Sequence, residues 1–245
     1  MSEVEQYYIG WDVGAWSCTK KSKSCDAMVI LNNEDLACKP FRDSLKEIIN
    51  NSANAKEFLT KIFKKSGLSY KGEEVILAID APLGYSEAFK QLIINNTTSE
   101  IKFDVYQDNP YLFRETECHI FKNKIFNKEG KAIRPLSAVN DMIGSQSTKA
   151  IHVVSRFTKI IKETGVWTDN DKLTIIETYP SINRAMIDEP ATLKEEHIDI
   201  RDAYICAKIA YAFRNQKERF VKPEDGIPKK EGWIWYLGMP LQQQL

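Results

Sequence analysis

The stretch Val75-Ile-Leu-Ala-Ile-Asp80-Ala-Pro-Leu-Gly84 decides the fold that the sequence predicts. Five apolar residues precede the aspartate without polar alternation, which is the pattern of a short strand buried on both faces. Pro82 and Gly84 then end the strand and turn the chain. We therefore expect the Asp80 carboxylate at the C-terminal edge of a sheet, where open α/β folds place ligands. A role in capping the turn into the next helix is the alternative for this residue.

Two further stretches end in an acid in the same way. Residues 7–14 place Asp12 after an apolar run, and residues 173–180 place Glu177 after another. If the three strands are parallel neighbours, their acids lie close together at one edge of the sheet. Clustered carboxylates repel one another unless they share protons or a cation. The pattern therefore predicts a site at this edge.

Composition limits the class of protein. A chain of 245 residues with 43% hydrophobic residues can bury one substantial core, so we expect a single domain over residues 1–245. The formal net charge is zero, so a nucleic-acid enzyme would need a local basic patch. The five cysteines lack any Cys-x-x-Cys spacing, which argues against a disulfide framework and a zinc site. Without a leader or a membrane-length apolar run, the chain is expected to be cytoplasmic, with no membrane partner. Its oligomeric state is left open.

The order of the elements predicts an α/β fold. Strands at 26–31 and 36–40, separated by an Asn-Asn turn, make an antiparallel meander with the first strand. The strands ending at Asp80 and Glu177 then add in parallel, which gives a mixed five-stranded sheet flanked by helices. Helical spacing predicts helices at 44–65, 87–95, 137–162 and 195–213. The sequence Asn50-Asn51-Ser52 can split the first of them into two.

The segment 97–135 interrupts this order. It has no periodic core signal and is rich in aromatic and charged residues, as expected of a binding insertion that covers an active site. Arg114 and Arg134 are its candidate phosphate contacts. The alternatives are a local ion pair or surface cation for each arginine, and a satellite hydrophobic patch for the aromatic residues.

The last predicted helix carries two more acids near its start. Asp199 and Asp202 are three residues apart and can project from one face. Small residues at 203, 206 and 207 allow this helix to lie close to the sheet, which could bring Asp202 to the strand-end acids. A favourable interaction with the helix dipole is the alternative explanation.

These motifs resemble known families. The plan of meander, helix, acid-tipped strand and late acidic helix resembles the RNase H-like superfamily, and residues 199–207 resemble its Holliday-junction resolvase branch. The motifs at 79–84, 113–117, 177–181, 202–203 and 231–235 are similar to the domain-of-unknown-function 429 family of predicted nucleases. The resemblance implies an RNase H-like fold with an insertion around 97–135. It also implies Asp12, Asp80 and Asp202 as metal ligands, with Glu177 as an added acid at the rim. We therefore predict Asp12, Asp80, Glu177 and Asp202 as catalytic acids and Asp12, Asp80, Asp202 and Asp199 as metal ligands. Arg114, Glu117 and Arg134 are the predicted substrate contacts.

The expected activity is metal-dependent hydrolysis of phosphodiester bonds in DNA or RNA. A carboxylate cluster would hold two Mg²⁺ or Mn²⁺ ions about 4 Å apart, which would activate water and stabilise the leaving oxygen. One alternative is a phosphotransferase or ATPase of the actin-like superfamily, which also begins with a strand, an Asp and a Gly. The other is a non-catalytic nucleic-acid-binding or interaction module that kept the fold.

Overall fold

The computed structural model describes residues 6–125 and 131–238, and its architecture is an α/β fold with a mixed, open sheet flanked by helices. The sheet in this part of the chain has eight strands. They are β1 (Gln6–Asp12), β2 (Ala27–Asn32), β3 (Asp35–Leu36), β4 (Phe41–Arg42), β5 (Glu74–Asp80), β6 (Ile160–Glu163), β7 (Val166–Thr168) and β8 (Leu173–Glu177). The α-helices are α1 (Lys46–Asn51), α2 (Ala55–Lys65), α3 (Glu87–Asn95), α4 (Glu115–Lys122), α5 (Gly144–Phe157), α6 (Pro180–Asn183) and α7 (Ile198–Asn215).

The strand order brings the three acid-tipped strands together. The order is β3-β2-β1-β5-β8-β7-β6, and β4 also pairs with β2. β1 is antiparallel to β2 and parallel to β5, which is parallel to β8. The predicted meander and the predicted parallel pairing are therefore confirmed, and the carboxyl ends of β1, β5 and β8 lie at one edge of the sheet. The register pairs Asp12 with Asp80, and Ile79 with Glu177.

Helices cover both faces of the sheet. Residues of α1, α2 and α5 form one core with Ile9, Leu77 and Ile175. On the other face α7 packs against Tyr8 and neighbouring strand residues. Small residues let α7 approach very closely, because a Cβ atom on Gly10 would lie 1.9 Å from the carbonyl oxygen of Ala203. The close approach expected for the last helix is thus present.

Several predicted elements differ from the structure. The helix predicted over 137–162 ends at Phe157, and the apolar pair Ile160-Ile161, which matched the helical period, belongs instead to the β6–β7 hairpin. Gly165 turns this hairpin with a φ of 75°, a value that glycine adopts without a steric cost. The strand predicted at 36–40 is replaced by the short strands β3 and β4.

The segment 97–135 is less irregular than predicted, because it contains α4. This helix has an unusual start: Arg114 occupies the N-cap position, where Ser, Thr, Asp and Asn are the usual residues. Its first turn is closed by Glu117, which accepts a hydrogen bond from the Arg114 backbone N–H at 2.7 Å. The sequence therefore lacked the usual start signal. Residues 126–130 of the predicted insertion lie outside the described residues.

In the part of the chain that the structure describes, no helix combines the length and the apolar character needed to cross a membrane.

Candidate functional site

Asp12 and Asp80 form a pair of adjacent carboxylates at the carboxyl ends of β1 and β5. Side chains alternate between the two faces of a strand, so Asp12 follows Tyr8 and Gly10 onto the face covered by α7, and Asp80 follows Ala78 onto the same face. Both side chains are half-buried. No hydrogen bond to either carboxylate occurs within residues 6–125 and 131–238. The two acids therefore face each other without direct neutralisation.

The surroundings disfavour the charged form of both acids. Burial raises the pKa of Asp12 well above its usual range, and the charges of Asp80, Asp199 and Asp26 raise it further. Burial, followed by the charge of Glu177, raises the pKa of Asp80 to about 7. Such a pair is stabilised by a shared proton or by a bound cation.

The pair opens into a cavity of about 170 Å³ at the carboxyl edge of the sheet. Its walls are mainly apolar, with Pro82, Leu136 and Ile143 among the lining residues. Gln146 of α5 also lines the cavity, and its Oε1 atom is buried without a hydrogen-bond partner in the described part of the chain. A buried amide oxygen without a partner is an acceptor available to a ligand or to water.

The two acids of α7 are neutralised by arginines. Asp199 is buried and accepts hydrogen bonds from Arg42 Nε at 2.7 Å and from the backbone N–H of Cys25 at 2.9 Å. Asp202 is half-buried and forms an ion pair with Arg184. Asp199 is close enough to Asp12 to raise its pKa, but the contact of Asp202 is with Arg184. Of the four predicted catalytic acids, Asp12, Asp80 and Glu177 line one cavity, and Asp202 is not among its lining residues. In the described ranges no three His, Cys, Asp or Glu side chains are grouped to hold a metal ion.

Glu177 lines the same cavity and belongs to a buried network with Arg114 and Glu117. It follows Leu173 and Ile175 along β8 and so points to the opposite face from Asp80. Its Oε2 atom accepts hydrogen bonds from Arg114 Nη1 and from the backbone N–H of Leu83, both at 2.8 Å. Glu117 binds the remaining side of the guanidinium, and the three side chains are at most 4% exposed.

This network uses every N–H group of Arg114. Nε donates to Glu117, Nη1 donates to Glu177 and to the carbonyl oxygen of Glu231, and Nη2 donates to both acids. Within the described residues all five side-chain N–H groups of Arg114 are thus engaged, whereas Glu117 lines the cavity. The substrate contacts expected of these two residues stay predictions. Their geometry fixes Glu177 at the end of β8. Arg134 is exposed, and the next residue, Pro135, lines the cavity.

Two further buried groups position the site, and neither of them was identified from the sequence. The first is the ion pair of Asp26 and Lys149. Asp26 accepts hydrogen bonds from Trp11 Nε1, from the backbone N–H of Gly14 and from Lys149 Nζ, and both charged side chains are fully buried. They hold the loop that follows Asp12. The signal was a lysine within the apolar face of α5, next to Ala150, where a buried charge requires a partner.

The other missed residue is Glu231. One of its carboxylate oxygens accepts a hydrogen bond from the backbone N–H of Glu87 at 2.6 Å, and the other accepts one from Glu115 at 3.1 Å. A single carboxylate thus caps the first turns of α3 and α4, where the helix dipoles favour a negative charge. This contact joins the helices on either side of the segment 97–114. No local sequence pattern predicts it, because Glu231 is distant in the sequence from both helices.

No family model, curated protein or solved structure was found to match this chain.

Proposed function

We propose that this protein is a metal-dependent hydrolase of phosphodiester bonds with an RNase H-like fold. The observation that carries the proposal is the Asp12–Asp80 pair, two carboxylates side by side at a cavity, neither of which accepts a hydrogen bond within the described residues. Mg²⁺ in enzymes is commonly bound by one or two carboxylates, while waters and substrate phosphate fill its other positions. The donor set fits one Mg²⁺ or Mn²⁺ ion better than the expected pair of ions, because Asp199 and Asp202 are engaged by arginines.

The residues of the chain have distinct roles in this proposal. Asp12 and Asp80 would hold the cation, which when bound polarises a phosphoryl oxygen and makes water more acidic. Asp80 would bind the cation in its ionised form, so binding would displace the proton that its raised pKa of about 7 retains below neutral pH. Gln146 Oε1 can accept a hydrogen bond from that water and so orient it. Arg134 would contact a phosphate from the rim of the cavity.

A nucleic acid is the proposed substrate, and a local basic surface supports it. Lys21 and Lys23 are exposed on the loop that follows Asp12, and Ser24 of the same loop lines the cavity. These lysines and Arg134 are exposed cations on segments that contribute lining residues to the cavity, although the chain as a whole is neutral. Phosphate contacts of this kind position a substrate without reading its sequence.

The test is a cleavage screen with single-stranded, duplex and branched DNA and RNA, in Mg²⁺ or Mn²⁺. Asp80→Asn is the loss-of-function variant, and Asp35→Asn, at an exposed acid on β3, is the matched control. We expect cleavage that requires the metal, falls at least about 100-fold in Asp80→Asn and is unchanged in the control. Cleavage that persists in Asp80→Asn, or its absence on every substrate, would contradict the proposal.

A further inference from the structure

Two cysteines lie in contact within the loop that follows Asp12 and connects β1 with β2. Cys18 and Cys25 are free thiols, both buried, and their sulfur atoms are 3.5 Å apart. Hydrogen bonds hold them in place: the thiol of Cys18 donates to Asp26 at 3.6 Å, and the backbone N–H of Cys25 donates to Asp199 of α7 at 2.9 Å. The two sulfurs therefore face each other in the folded protein.

The two thiols are not equivalent. Cys18 is 6% exposed, and its sulfur lies 4.0 Å from the ammonium group of Lys149. Cys25 is fully buried, and burial together with Cys18 and Asp26 raises its pKa to about 12. Cys18 is thus the residue that a small oxidant meets first, and Cys25 is the second thiol that can resolve the product.

We propose that Cys18 and Cys25 are a redox modification site that forms a reversible disulfide when the protein meets a hydroperoxide. The sulfur of Cys18 attacks the peroxide and breaks its O–O bond, giving a sulfenic acid and, for hydrogen peroxide, one water. The thiol of Cys25 then attacks that sulfur, forms the S–S bond and releases a second water. Two thiols are oxidised as one peroxide is reduced, so the step balances.

The modification would alter the loop beside the carboxylate pair. The sulfurs must move from 3.5 Å to about 2.05 Å apart, and the Cys18 thiol loses its hydrogen bond to Asp26. Lys21 and Lys23 lie between the two cysteines, so the disulfide would close the segment that carries the basic surface. The inference concerns the thiols alone and does not depend on the proposed hydrolase activity.

The test is peptide mapping of the full-length protein after treatment with hydrogen peroxide. Remaining thiols are alkylated in denaturant, and trypsin is used without reduction. Cleavage at Lys20, Lys21 and Lys23 separates the peptide with Cys18 from the peptide 24–42, which carries both Cys25 and Cys38 because trypsin does not cleave between Lys39 and Pro40. A disulfide is seen as the joined mass of the two peptides, and fragmentation of the joined peptides assigns the linkage to Cys25 or to Cys38. Cys38, a half-buried cysteine, serves as the internal control, and peroxide is raised until Cys38 is oxidised.

We expect the joined peptides to appear, to account for two lost thiols per chain and to separate with dithiothreitol. The Cys25→Ser variant should lack the joined mass and carry oxidised Cys18 instead. If that variant does not fold, the wild-type peptide map alone still shows whether the disulfide forms. Recovery of both Cys18 and Cys25 as alkylated thiols, or their oxidation without linkage, under conditions that oxidise Cys38 would overturn the proposal.

Discussion

Asp80 is a carboxylate in a setting that opposes its negative charge, because burial and Glu177 raise its pKa to about 7. Replacing it with the neutral Asn should remove this cost. We expect Asp80→Asn to be more stable than the wild type by about 1–2 kcal/mol at pH 8 without divalent cations, a common result at functional sites. Chemical denaturation measures the difference, with Asp35→Asn as the control that should change stability by less than about 0.5 kcal/mol. A loss of stability in Asp80→Asn would instead show that its carboxylate is a structural anchor.

The raised pKa of Asp80 also predicts that the stability of the protein depends on pH. The folded pKa of Asp80 is about 7 and its ordinary value is 3.8, so between these pH values the folded state holds a proton that the unfolded state has released. The contribution to stability is complete below about pH 4 and is lost as the pH rises to about 7. The stability of the wild type should therefore fall relative to Asp80→Asn by about 1–2 kcal/mol between pH 5 and pH 8. Unfolding curves for both proteins at several pH values would reveal this, and a constant difference would exclude the raised pKa.

Individual side-chain partners were the least predictable feature of the site. The acids at the ends of β1, β5 and β8 could be read from apolar runs that end in Asp or Glu, since strand and turn signals are local. The pairing of Asp202 with Arg184 and of Asp199 with Arg42 depends on distant parts of the chain that meet only in the fold. For Arg114 a local ion pair was one of the alternatives, but its second partner, Glu177, is distant in the sequence and could not be identified.

Among the structural elements, α4 and β8 are held together through Arg114. Removing its side chain would leave Glu117 and Glu177 buried without a counter-charge, which typically costs about 3–5 kcal/mol. Arg114→Ala should therefore lose about this much stability in guanidinium denaturation. Arg134→Ala, at an exposed arginine nearby, should change stability by less than about 0.5 kcal/mol. Equal, small effects of the two substitutions would contradict the structural role of Arg114.

The contact between β1 and α7 sets the distance of the acidic helix from the sheet. A methyl group at Gly10 would lie 1.9 Å from Ala203 O and 2.3 Å from Ala207 N, and neither backbone atom can yield without moving α7. We expect Gly10→Ala to destabilise the protein by about 3 kcal/mol or more. Gly144→Ala, at the start of α5 where a Cβ meets nothing within 4 Å, should be neutral or stabilise by up to about 1 kcal/mol. Thermal melting of both variants tests this, and a well-tolerated Gly10→Ala would disprove such close packing.

The elements themselves were predictable to the extent that their signals are local. Helix α3 spans the residues that its Ser cap and apolar spacing indicated, and the Asn-rich interruption does separate α1 from α2. Helix α7 begins three residues later than predicted, where His197 accepts a hydrogen bond from the backbone N–H of Asp199. The β6–β7 hairpin was missed because a short strand after a helix continues the apolar spacing, and only its pairing with β8 distinguishes it.

At the scale of the whole molecule, distant segments hold two like charges together. Asp12 and Asp80 come from the middle of the sheet, while buried pairs such as Asp26 with Lys149 fix the surrounding loops. The remaining core supplies the stability that the acid pair lacks. Two carboxylates without an ion-pair partner in the described part of the chain, held in place by stabilising contacts elsewhere in the protein, are the arrangement expected of a functional site.

The most direct test of this account is a calorimetric titration with Mn²⁺, because the central claim is that Asp12 and Asp80 together bind a divalent cation. We predict binding of one ion by the wild type and by the Asp35→Asn control, and loss of that binding in both Asp12→Asn and Asp80→Asn. At pH 6 binding should also release a proton from Asp80, which makes the measured heat depend on the ionisation enthalpy of the buffer. Equal binding by all four proteins, or no binding by the wild type, would contradict the claim.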